Sequence, residues 1–187
     1  NIVDFVTSDN QTKLSEKQQK ISALKKSMTL VDSLEDKLEI LKDSYKDETL
    51  YILSCGPSLA EYKKEYLNKF LSDKPTFAIK QTLHDFSEVA DFHFFNCANL
   101  PSRHYKYNED KRPIIIASSN YDLGRRWHKA QKQDIFFKIP IRTEINNEFI
   151  TKTKKFDDFL IDKTLTRPCG PGIMYETVFY MALHMGF

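Results

Sequence analysis

The chain has 187 residues, enough for one domain with its own core; 41% are hydrophobic and 13% aromatic, including 14 Phe and 9 Tyr. A net charge of +2, from 28 basic and 26 acidic side chains, is too balanced to mark a nucleic-acid binder. No apolar run is long enough to span a membrane, no secretory signal is visible, and the three scattered cysteines, Cys55, Cys97 and Cys169, suit a reducing, cytoplasmic setting.

Residues 11–48 read as one helical stretch. Leu14, Ile21, Leu24, Met28, Val31, Leu38 and Tyr45 recur at helical spacing, and Leu34 and Leu41 widen the stripe. This predicts an N-terminal helical arm over 1–48, packed on the domain or pairing with a second copy of the chain. From Leu50 the texture changes. Leu50 to Cys55 is a short apolar run closed by Gly56-Pro57, which predicts a buried strand and a turn, with Ser58 capping a helix from Leu59 to about Leu71. Strands are predicted at 76–79, 91–95, 114–116 and 135–139. Helical stretches are predicted around Leu83 and Phe86, over 122–132 and over 173–185. The basic segment 101–112 reads as a mobile loop. Alternating strands and helices predict an α/β fold: a three-layer, Rossmann-like, mainly parallel sheet with helices on both faces over 49–187.

Three of the five glycines sit in two Gly-Pro loops, Ser54-Cys55-Gly56-Pro57-Ser58 and Arg167-Pro168-Cys169-Gly170-Pro171-Gly172. Glycine allows close backbone approach and positive φ, and a helix N-terminus presents free N–H groups to an anion. Two such loops at one sheet edge would form a phosphate cleft; each alone also reads as an ordinary tight turn. Asn96 and Asn120 close the third and fourth strands, where an amide suits a base edge or a ribose hydroxyl, or simply a turn. Neither GxxxxGK[ST] nor GxGxxG occurs, which argues against P-loop ATPases and ordinary nicotinamide enzymes. No CxxC or HExxH pattern suggests a metal site. His84, His93, His128 and His184 read as structural or surface residues. His104, beside Arg103, is the candidate for a catalytic base.

Leu53-Ser54-Cys55-Gly56-Pro57-Ser58-Leu59 resembles the first-strand motif of bacterial sialyltransferase-like glycosyltransferases and of the related motility-accessory-factor and hydroxymethylpterin diphosphokinase-like proteins. Phe94-Phe95-Asn96, Ile116-Ala117-Ser118-Ser119-Asn120-Tyr121, and Gly170-Pro171-Gly172 with the following apolar helix are similar to later family segments, in the same order, over about residues 50–187. Cys55 and Lys80 stand where the sialyltransferases carry Asn; Gln81 matches, and Pro171 or Gly172 takes the place of a phosphate-holding Ser. The resemblance implies a nucleotide or nucleotide-sugar site at Ser54, Cys55, Gly56, Pro57, Ser58, Lys80, Gln81, Asn96, Ser118, Ser119, Asn120, Gly170, Pro171 and Gly172. It implies a glycan acceptor as the second substrate, with Lys80 or Arg167 offsetting phosphate charge. It also implies a further strand and a catalytic His beyond Phe187, so the chain is expected to be truncated. The alternatives are diphosphate transfer from ATP, which alone would call for Mg²⁺ and carboxylates such as Asp85 and Asp122, and a non-catalytic nucleotide-binding remnant.

Overall fold

The computed structural model describes residues 15–96, 105–119, 133–138 and 173–187. Five strands, β1 (Tyr51–Leu53), β2 (Thr76–Ile79), β3 (Phe92–Asn96), β4 (Ile114–Ser119) and β5 (Ile135–Lys138), form one parallel sheet in the order β1-β2-β3-β4-β5. The expected α/β architecture with a mainly parallel sheet is present, and every described strand pair is parallel. Strand side chains alternate between two apolar faces, as a sheet covered on both sides requires. Phe77, Ile79, Phe92, Phe94, Ile114, Ile116, Ile135 and Phe137 enter one core; Ala78, Phe95, Ile115 and Ala117 enter another.

Strands added in sequence order along one direction carry their right-handed crossovers on a single face. That face holds α3 (Lys64–Phe70), α4 (Leu83–Phe86) and the segment with Tyr105 and Tyr107. The part of the 101–112 loop within the described residues is therefore packed down, with Tyr105 buried against His93 and Phe95. The order never reverses among the described strands, so no crevice of the kind that a reversal opens lies between any two of them.

The opposite face is covered by elements from the two ends of the chain. The stretch expected as one helix is two: α1 (Glu16–Met28) and α2 (Leu34–Leu41). Ser15 opens α1 with a capping box to Gln18, and the Ser33 hydroxyl accepts from the Asp36 N–H to open α2. A single helix over 16–48 would be about 50 Å long, far beyond strands of three to six residues. The break lets both halves pack on the sheet, where Met28, Leu38, Leu41 and Tyr45 are buried. The apolar stripe that could have served a second copy is, over the described residues, spent on the chain's own core.

The last helix starts as a π-helical turn (Met174–Val178) and continues as α5 (Phe179–His184). Its end is laced to the turn after α2: the N–H groups of Asp43, Tyr45 and Asp47 donate to the carbonyls of His184, Met185 and Gly186 at 3.0, 2.8 and 3.1 Å. Gly186 has φ +91°, and a Cβ there would lie 3.0 Å from Lys46 Cα. Gly186→Ala is therefore expected to lower stability by about 1–2 kcal/mol. Urea unfolding that showed no loss would mean that this junction is not a tight one.

Two aspartates set the register at the N-terminal edge in the same way. Asp91 donates its N–H to Thr76 O and accepts the Thr76 N–H on Oδ2; Asp134 does the same with Ile115. Each carboxylate has a cation: Lys17 at 3.2 Å for Asp91, and Arg112 at 3.1 Å for Asp134. Lys17 also donates to the carbonyls of Leu71, Lys74 and Val89, so α1 is pinned at once to the loop before β2 and the loop before β3. Burial lowers the Lys17 pKa and pushes the Asp91 carboxyl up to about 6, against the pull of Lys17.

Candidate functional site

In a parallel sheet every strand delivers its C-terminal end to the same edge. That edge receives the Ser54–Ser58 loop after β1, Lys80 and Gln81 after β2, Asn96 at the end of β3, and Ser118 and Ser119 at the end of β4. Asn96 and Ser118 are register partners, and β2 separates the β1 loop from Asn96. Ser118 is buried, whereas Ser54, Cys55, Gly56, Pro57, Ser58 and Gln81 are exposed. His104, Asn120, Arg167, Gly170, Pro171 and Gly172 lie outside the described residues, as do Cys97, Cys169 and the helix expected over 122–132.

The β1 loop departs from expectation in two respects. The helix expected from Leu59 to Leu71 is a 3₁₀ turn (Pro57–Glu61), two extended residues, and then α3. In one continuous helix Leu59 and Leu67 would sit about 80° apart around the axis. The break lets both rest on the patch formed by Leu53, Leu71 and Phe86. Ser58 therefore caps no helix, and the α3 dipole does not begin at the loop. Gly56 has φ −74° and ψ 153°, extended backbone open to any residue, and a Cβ there would meet only Ser58 Oγ at 3.7 Å. Local geometry does not demand glycine here.

The demanding backbone is at Lys80, whose φ is +53°. A residue with a Cβ is strained in this region and persists there only if its surroundings hold it. They do so on both sides. Thr82 Oγ1 accepts the Ile79 N–H at 2.8 Å and lies within bonding reach of the carbonyls of Leu53 and Ile79. The Cys55 thiol donates to Ile79 O, tying the end of β1 to that of β2. His93, fully buried on β3, meets Lys80 O through Nε2 at 2.9 Å and Tyr107 Oη through Nδ1 at 2.8 Å. A carbonyl only accepts, so Nε2 carries the proton and Nδ1 accepts from the phenol. Burial holds the His93 pKa down near 3 and pushes that of Tyr107 up, so both stay neutral. Among the described residues no carboxylate pairs with Lys80.

Thr82, His93 and Tyr107 were not among the residues expected at the site. Thr82 follows the end of a strand by three positions, the spacing at which a hydroxyl caps a turn, and that signal was present. Asp85 pairs with Lys64. Among the described residues no group of three or more His, Cys, Asp or Glu side chains could hold a metal ion, and no helix is long and apolar enough to cross a membrane. At the opposite edge a polar cleft of about 250 Å³ runs along α1, and three of its cations, Lys17, Lys111 and Arg112, are paired with carboxylates.

His93 and Asp91, two residues apart, have opposite linkage to pH. Between about pH 4 and 6 the folded chain keeps a proton on Asp91 that the unfolded chain gives up, so this contribution falls as pH rises. Below about pH 6.5 the unfolded chain protonates a histidine that His93 in the fold does not, so this contribution falls as pH drops. Each slope is about 1.4 kcal/mol per unit, and the two nearly cancel across pH 4–6. Denaturant titrations of Asp91→Asn should show stability rising with pH in that window, and those of His93→Gln should show it falling. Parallel profiles for the two variants would contradict the assignment.

Comparison with family models, with curated protein sequences and with solved structures finds no match to this chain.

Proposed function

We propose that the chain is a Rossmann-like nucleotide domain of sialyltransferase-like type. It binds a nucleoside phosphate or nucleotide-sugar at the C-terminal edge of its sheet and transfers the sugar to a glycan acceptor. The observation that carries this reading is Lys80. It is a strained, left-handed residue whose ammonium has no carboxylate partner among the described residues, and it stands at the same edge as the Ser54–Ser58 loop and Asn96. Backbone strain of this kind concentrates where ligands are held. In the transfer, the acceptor hydroxyl oxygen bonds to the anomeric carbon as that carbon's bond to the phosphate oxygen breaks; the nucleotide leaves with the bonding electrons on its phosphate, and the hydroxyl proton passes to water. The charge gathering on the departing phosphate is met by Lys80 and by loop N–H groups.

Calorimetry of the 187-residue chain against cytidine, uridine, guanosine and adenosine mono- and diphosphates tests the reading. At least one should bind below millimolar. Gly56→Val is expected to leave stability within about 0.5 kcal/mol, because the residue is exposed and its backbone extended. The same change should abolish nucleotide binding by blocking backbone approach. A panel in which nothing binds the folded chain would overturn the reading.

A further inference from the structure

We infer that His93 and Tyr107 are positioning residues for Lys80: the buried imidazole and the half-buried phenol hold the left-handed backbone that aims the lysine at a phosphate. The inference rests on the nucleotide reading above and names how that site is kept in shape. A fold needing only a turn at this point would use glycine, which takes φ +53° without strain. The chain has lysine there instead, and surrounds it with bonds that fix the carbonyl. His93 Nε2 donates to Lys80 O, the preceding N–H of Ile79 is held by Thr82, and the Tyr107 hydroxyl holds Nδ1 as an acceptor. The imidazole is thereby locked in one tautomer and one orientation. Phe95, Tyr105 and Tyr107 are the ring neighbours of His93, His84 packs against the Tyr105 ring, and no carboxylate reaches the His93 ring among the described residues. The pair therefore acts as a neutral, fixed donor rather than as a proton carrier. A neutral donor suits a part whose task is to hold geometry across the working pH range.

The test uses the 187-residue chain with cytidine 5′-monophosphate and uridine 5′-diphosphate as probes, reading Kd by calorimetry and Tm by thermal melting. Lys80→Gly should raise Tm by about 2 °C through relief of strain, and weaken the better probe about ten- to a hundredfold. Tyr107→Phe should weaken it about three- to tenfold in the wild-type background and not at all in the Lys80→Gly background. His93→Gln can donate to Lys80 O and accept from Tyr107, so it should bind within about threefold of wild type, whereas His93→Leu should lose about tenfold. A purely structural role would move Tm alone, leave Kd unchanged in every variant, and overturn the inference while sparing the nucleotide reading. Equal losses from Tyr107→Phe in both backgrounds would also overturn it, since the effect would not pass through Lys80. If neither probe nor any nucleotide of the wider panel binds the wild-type chain, the nucleotide reading itself fails, and the positioning role with it. A Tm rise in Lys80→Gly would then report only the strain.

Discussion

A chain beginning at Asp47 is expected not to fold. The residues removed complete one whole face of the sheet. Met28, Leu38, Leu41 and Tyr45 are each nearly or fully buried against Phe77, Phe92, Phe94, Ile114 and their neighbours. Burial of such side chains contributes about 1.5–3 kcal/mol each, and four of them rival the whole stability of a domain, about 5–15 kcal/mol. The loss spreads to the far end of the chain. Phe187 stacks on Tyr45 with ring centroids 5.0 Å apart, and the carbonyls of His184 and Met185 would lose their donors at Asp43 and Tyr45. Lys20, whose ammonium lies 3.6 Å from the Tyr45 ring centroid, adds a further tie between α1 and this corner. Circular dichroism and calorimetry of residues 47–187 should show no cooperative transition, together with strong binding of a hydrophobic dye. A cooperative melt within a few degrees of the full chain would show instead that α1 and α2 are an appendage.

Asp91→Ala should cost about 3–5 kcal/mol. The substitution strands the Thr76 N–H, which is buried, and leaves the Lys17 ammonium without its counter-charge in a place where burial already lowers its pKa. The three carbonyls that Lys17 also meets keep part of its hydrogen bonding, which places the effect toward the lower end of the range. Lys17→Met should cost less, because the carboxyl left behind can protonate: it already sits near pKa 6 with the lysine present. The two residues should couple, so that the double variant is more stable than the sum of the two losses. Urea unfolding of the four proteins at pH 7 decides the matter. An Asp91→Ala loss below about 1 kcal/mol would demote the clamp to an ordinary surface pair.

The strands were legible because burial on both sides of a parallel sheet leaves continuous apolar runs such as Ile114-Ile115-Ile116, and no distant contact is needed to read them. The parallel α/β class came from their alternation with helical stretches. So did the gathering of Gly56, Lys80, Asn96 and Ser118 at one edge, since parallel strands leave no other choice. Helix boundaries were less legible. Ser33 and Asp36 carried a cap signal, yet the apolar spacing on either side of it is compatible with one long helix; the short span of the strands decided for two. The glycine argument failed at Gly56 because composition marks where a turn can be, while φ is set by how β1 meets the 3₁₀ turn after it. The strain is at Lys80, a residue type with no preference for a left-handed backbone, and no local pattern marks it. His93 lies thirteen residues on, in the neighbouring strand, and Tyr107 lies fourteen beyond that. Only the pairing of β2 with β3, and the packing of the segment after β3 across them, brings these three together. Side-chain periodicity is a local property, so the sequence by itself determined the strands, the buried faces and the α/β class. Bonds between distant positions are set by register and layer packing, and these only the tertiary structure decided.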